Sequence, residues 1–112
     1  MATDIVIAQT TIDDEGRAEA LARGAVEARL AACAHIDPPF KAVYWWQDAV
    51  RVEREWRISY KTTRDRLPAL AEWVAAEHPY EVPQWIVLPV DGGSEAYLGW
   101  VAAESGPRTE AR

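Results

Sequence analysis

Residues 50–61 alternate over twelve positions, and that run constrains the fold more than any other. Val50, Val52, Trp56, Ile58 and Tyr60 take one side, and Arg51, Glu53, Glu55, Arg57 and Ser59 the other, with Arg54 the one break. A period of two over this length predicts a β-strand with one buried face. Fully extended it spans roughly 40 Å. A chain of 112 residues has room for one domain, with a radius of gyration of about 13 Å and a width of about 34 Å. The strand is therefore expected to project beyond its own core. A second strand at 40–46 precedes it across a tight turn at Gln47-Asp48-Ala49, so the pair reads as a long hairpin. Its first arm carries Tyr44-Trp45-Trp46, and neighbouring strand residues point to opposite faces. Bulky rings on both faces need cover on both, which one layer of helices cannot supply. The expectation is oligomerisation through the hairpin and sheet edge, anchored by Tyr44, Trp45, Trp46 and Trp56. The alternative is a curled hairpin whose spare indole rests on its own sheet.

The other elements follow in order. Residues 4–10 read as a central strand. A helix capped by Thr11 or Asp13 runs to about Ala32, with Ala18, Leu21, Ala22, Ala25 and Ala28 as its apolar stripe. Residues 33–37 look extended, and Pro38-Pro39 bends the chain. A second helix, capped by Thr63 or Asp65, stripes Leu67, Leu70, Ala71, Val74, Ala75 and His78 along one side and stops before Pro79. Residues 85–90 form a second buried-strand run, a short helix spans 94 to about 103, and 105–112 read as a loose tail. The order β-α-β-β-α-β plus a terminal helix predicts an α+β, ferredoxin-like sandwich as one domain over 1–104. Right-handed crossovers place the first and last strands together at the sheet centre.

Composition excludes several functions. Net charge is −6, with 18 acidic against 12 basic residues interleaved with them, which opposes a nucleic-acid partner. No stretch approaches the roughly 18 apolar residues of a membrane span. Cys33 is the single cysteine, so no intrachain disulfide can form, and Met1-Ala2-Thr3-Asp4 lacks the pattern of a signal peptide. A cytoplasmic location is the expectation.

Three segments could carry chemistry. In His78-Pro79-Tyr80-Glu81-Val82-Pro83, two prolines stiffen a loop where His78 and Glu81, with Glu77, could present ligands to a cation. The plainer reading is that His78 closes its helix and packs beside Val74 and Ala75. Cys33 and His35 share one side of a strand but are too few for a closed zinc site. Cys33 reads better as a small buried hydrophobe. Lys61-Thr62-Thr63 leads into a helix N-terminus that could hold an anion.

Six segments together resemble the CutA family of divalent-cation-tolerance proteins. They are Arg29-Leu30-Ala31-Ala32-Cys33-Ala34, Val43-Tyr44-Trp45-Trp46, Tyr60-Lys61-Thr62-Thr63, His78-Pro79-Tyr80-Glu81-Val82-Pro83, Leu88-Pro89-Val90 and Tyr97-Leu98-Gly99-Trp100. The resemblance covers residues 4 to about 104. It implies a ferredoxin-like fold and a homotrimer built like the PII signalling proteins, in which hairpin strands extend neighbouring sheets. It also implies a link to copper and other divalent ions, and no catalysis. Some members are associated with cytochrome biogenesis or with anchoring membrane enzymes. The chain departs from the family at five positions: Asp48 replaces the usual turn Gly, His35 an Asn, Gln84 a Glu, Thr10 a Cys proposed to bind copper, and Glu77 a His.

The expectation is a non-enzymatic homotrimer that binds a divalent cation such as Cu²⁺, with no obligatory cofactor. Metal ligands would be His78, Glu77 and Glu81, beside a ligand cleft holding Lys61, Tyr80 and Cys33. The alternative is an adaptor trimer that docks a protein partner and binds ions incidentally.

Overall fold

The computed structural model describes residues 3–107. Its elements are β1 (Ile5–Ile12), α1 (Glu15–Glu27), β2 (Cys33–Ile36), β3 (Phe40–Trp46), β4 (Ala49–Thr63), α2 (Leu67–Glu77), β5 (Ile86–Pro89) and α3 (Glu95–Glu104). The five strands form one antiparallel sheet in the order β2-β4-β1-β5, with β3 also paired to β4. This is the ferredoxin-like α+β fold. The centre of the sheet is β1 beside β4, and β5 lies at the edge, contrary to the expected central position of the last strand. Each crossover skips one strand: β1 to β2 passes over β4, and β4 to β5 passes over β1, which leaves β5 outside. As an edge strand β5 is not the buried run expected; Ile86 and Leu88 are exposed.

β2 and β3 pair successive stretches of β4. Ile36 faces Ile58, yet Phe40 faces Glu55, so the Pro38-Pro39 segment inserts one extra residue and bends the strand. Beyond this bend the hairpin stands free of the helices. The molecule measures 55 × 29 × 23 Å with a radius of gyration of 15.1 Å, above the value of about 13 Å for a compact chain of this length. The hairpin turn has two residues, Gln47 (φ 52°) and Asp48 (φ 63°), both left-handed as a turn matching the strand twist demands. Ala49 belongs to β4 rather than to the turn.

Helix α1 starts at Asp14, whose carboxylate accepts from the Arg17 N–H at 2.8 Å, not at Thr11 or Asp13. It ends at Glu27, well before Ala32. Arg29 adopts φ 58°, its N–H donates to Val26 O at 3.0 Å, and that of Leu30 to Ala25 O at 2.9 Å. This double closure reverses the chain and buries Leu30 while Ala28 stays exposed. Helix α2 lacks a side-chain cap. Thr63 donates its hydroxyl to Asp65 instead, and a tight turn from Arg64 to Leu67 starts the helix.

The core lies between the sheet and α1 with α2. Ala8, Ile12, Ile58 and Tyr60 meet Ala18, Leu21 and Ala25 of α1 and Leu70 and Val74 of α2. The small α1 residues let the helices approach closely: a Cβ on Gly24 would lie 2.6 Å from Trp73. Trp56 rests against this core, so of the four expected anchors it is the one turned inward. Among the described residues, the other face of the sheet is covered only at one end, where Val101 of α3 packs on Ile5 and Ala32. Arg29 ties down the end of α3, donating to Ala103 O at 3.1 Å and Gly106 O at 2.6 Å and pairing with Glu104 at 3.3 Å. Gly106 is thereby docked, past the expected boundary at 104; residues 108–112 of the expected tail lie outside the described residues. Among the described residues no helix is long and apolar enough to cross a membrane.

Candidate functional site

The loop after α2 places His78 differently from a ligand. The residue caps the helix in extended geometry, donating its N–H to Val74 O at 2.8 Å, and is only 6% exposed. Its ring points inward. Nε2 lies 2.9 Å from Thr11 O, and Nδ1 accepts from the Tyr80 N–H at 3.2 Å. A carbonyl can only accept and an N–H can only donate, so these partners assign the neutral tautomer with its proton on Nε2. Tyr80 packs edge-on against the ring at 4.7 Å. With both nitrogens engaged, the imidazole offers no free lone pair to a metal.

Nor does the fold gather His78, Glu77 and Glu81 into one set. Glu77 lines a groove of about 220 Å³ with Arg17, Leu21 and Trp73. Glu81 lines a different cavity of about 320 Å³, between the hairpin and the loop, with Asp13, Tyr44, Arg51, Glu53 and Tyr80. Among the described residues no group of three or more His, Cys, Asp and Glu side chains is arranged to hold a metal ion.

The expected cleft of Lys61, Tyr80 and Cys33 assembles in part. Cys33 and Lys61 are opposed across β2 and β4. Lys61 Nζ donates to the Tyr97 hydroxyl at 3.1 Å and sits 5.2 Å from the centre of that ring, while Cys33 Sγ lies 3.6 Å from the same oxygen. Tyr97, not Tyr80, completes this cluster. Tyr80 belongs to the far end of β1, by Thr11 and Asp13. Cys33 is half-buried on the open side of the sheet, whereas Ala34, its neighbour, takes the core side. It is not the core hydrophobe expected. Tyr97 was detectable in the sequence as one of an i, i+3 aromatic pair with Trp100, stacked here at 5.7 Å on a helix that buries only Val101. His35 is exposed, two residues along from Cys33 and opposite Ser59.

Burial raises the pKa of Tyr80 well above the ordinary tyrosine value, and the carboxylates of Asp13 and Glu55 add to the effect. Tyr44 shifts the same way, through burial and then Glu53 and Glu55. The hairpin divides its residues cleanly. Val43 faces Val52 and Trp45 faces Val50 on one side, and all four are exposed, Trp45 by 73%. Tyr44, Trp46, Arg51 and Glu53 lie on the other side and line the cavity. Val43, Val50 and Val52 are surface residues that the alternation alone assigns to a core face; the overhang takes them away from the core.

The family model for the CutA1 divalent ion tolerance protein matches residues 6–104. The divalent-cation tolerance protein CutA of Thermus thermophilus is 40% identical over 96 residues, covering 86% of this chain and 93% of its own. The chloroplastic CutA 1 of rice is 36% identical over 96 residues; this chain spans only 54% of that relative's length. The solved structure of CutA from Synechococcus elongatus superposes with a TM-score of 0.89 at 38% identity, covering 95% of each chain. By sequence and by fold, the chain belongs to the CutA1 divalent ion tolerance family.

Proposed function

We propose that this protein is a homotrimeric binding protein, without catalytic activity of its own, that holds divalent ions such as Cu²⁺ where subunits meet. The observation that carries this reading is the contiguous exposed strip of Val43, Trp45, Val50 and Val52 on a hairpin projecting beyond the core. Apolar surface of that kind on a soluble domain marks an interaction site. The family's name supports divalent ions as the ligand, and its resemblance to PII signalling proteins supports three as the subunit number. Because no ligand set gathers among the described residues of one chain, the ion's donors are drawn from more than one subunit, chiefly exposed ones such as His35, Glu77 and Glu81. His78 joins them only by releasing the Thr11 carbonyl, so it ranks below His35, the reverse of its order in the sequence reading.

Calorimetric titration of Cu²⁺ into wild type, His35→Ala and His78→Ala at neutral pH tests the reading. The expected result is weak to moderate binding by wild type, reduced more by His35→Ala than by His78→Ala. Binding should also weaken as pH falls, since a protonated imidazole cannot ligate. A trimer that binds no Cu²⁺ in any form would favour the adaptor reading, for which the exposed Ile86 and Leu88 of the edge strand provide a docking surface.

A further inference from the structure

The hairpin is a two-stranded arm on a narrow neck. Among the described residues, β1 pairs with β4 only as far as Trp56, β2 ends with Ile36 opposite Ile58, and β3 starts with Phe40 opposite Glu55. Past the neck, no third strand among the described residues steadies the ribbon, and a two-stranded hairpin is marginal by itself. The seven residues of Phe40–Trp46 make an arm about 23 Å long, so a tilt of about 10° at the neck moves its tip by about 4 Å.

One side chain spans this neck. Arg57 Nη1 pairs with Asp37 Oδ2 at 2.9 Å, just past the end of β2, and its guanidinium lies 4.5 Å from the centre of the Phe40 ring, at the start of β3. The Arg57 carbonyl also accepts from the Asp37 N–H at 2.9 Å. Arg57 thereby holds both sides of the Pro38-Pro39 bend from the strand they both flank. A planar guanidinium can pair with a carboxylate through its edge while stacking a ring on its face, which restrains the neck in two directions. The two prolines, with φ fixed, leave few backbone torsions through which the neck could bend.

The ion pair is exposed on both sides, 38% and 44%, and exposed pairs add little to stability. Its effect on the direction of the hairpin is larger, because the arm multiplies any tilt. Contact energy is steep in distance: a gap of roughly 0.5–1 Å already forfeits a quarter to a half of it. By the alternation of β4, Arg57 points to the face opposite Val50 and Val52. It can therefore act on the apolar strip only through the direction of the hairpin.

We propose that Arg57 is a positioning residue for subunit assembly, pinning the hairpin at the angle that presents Val43, Trp45, Val50 and Val52 to a second copy. The consequence for assembly rests on the homotrimer reading; the pinning does not.

Residual dipolar couplings of the backbone amides in the full-length protein read the hairpin's direction against the core. They are measured in the Trp45→Ser background, where a neighbour's hold on the hairpin is weakened. With Arg57 present, hairpin and core amides are expected to fit one alignment tensor. Arg57→Ala should shrink the hairpin couplings and leave those of the core unchanged, and Asp37→Asn should shrink them less. Light scattering over a dilution series gives the second readout. Arg57→Ala should weaken association by about tenfold per interface in otherwise wild-type protein, and by much less on top of Trp45→Ser, since a strip without its indole loses little when misdirected. A residue that only stabilised the fold would lower the thermal midpoint and act alike in both backgrounds. Unchanged hairpin couplings in both variants, or equal effects on association in the two backgrounds, would overturn the proposal. If Arg57→Ala fails to fold, the couplings of Asp37→Asn decide. A monomeric wild type would refute the homotrimer reading instead, and the couplings would still judge the pin.

Discussion

Trp45 is the residue whose replacement best separates a protein that works alone from one that works in company. It is 73% exposed on a hairpin face that also exposes Val43, Val50 and Val52. Taking about 250 Å² for a whole Trp side chain, roughly 180 Å² of it meets water in a single chain. At about 25 cal/mol per Å², full burial against a neighbour is worth about 4.5 kcal/mol, and half burial about 2 kcal/mol. With each 1.4 kcal/mol equal to a factor of ten, Trp45→Ser should weaken association by roughly thirty-fold to a thousand-fold per interface. In an isolated chain the same change should cost within about 0.5 kcal/mol, as for other surface sites. Light scattering after size exclusion, over a dilution series, reads the difference. Wild type should hold a mass near three times 12.5 kDa at micromolar concentration, and the variant should fall toward the monomer on dilution. An identical mass and dilution profile for both proteins would refute the reasoning, because the strip would then not be an interface.

Asp48→Gly should stabilise the protein by about 1 kcal/mol, because glycine adopts the φ of 63° without the steric penalty of a Cβ; an unchanged or lower denaturant midpoint would contradict this. Gly24→Val should destabilise by roughly 1–3 kcal/mol, since even a Cβ would lie 2.6 Å from Trp73, and thermal melts will show whether the helices can part more cheaply. Tyr60 and Tyr80 have pKa values raised by burial, so the folded state keeps protons that the unfolded chain loses near pH 10. Their contribution is therefore full below about pH 10 and lost as pH rises further. Denaturant midpoints should fall above that pH, and Tyr60→Phe with Tyr80→Phe should flatten the fall; an unaltered slope would contradict the assignment.

The element order was legible in the sequence because it depends on local periodicity. The alternation at 50–61, the α1 stripe of Ala18, Leu21, Ala22 and Ala25, and the bend at Pro38-Pro39 each reflect backbone geometry within a few residues. So does the overhang, which needs only a strand length and a chain length. Helix ends were less legible. A left-handed Arg29 carries no Gly or Asn to announce it, and Asp14 was one of several acids able to cap α1.

What the sequence could not decide was which side chains meet. His78 and Glu81 are three residues apart, but one turns inward to Thr11 O and the other lines a cavity with the hairpin. Cys33 and Lys61 are opposed by strand pairing, and only the packing of α3 on the open sheet brings Tyr97 to both. The central place of β4 and the edge place of β5 likewise followed from how crossovers skip strands. Sequence periodicity records which face of an element is apolar; the direction of a side chain at a loop, and the partner it finds across the fold, are fixed by contacts between residues far apart in the chain.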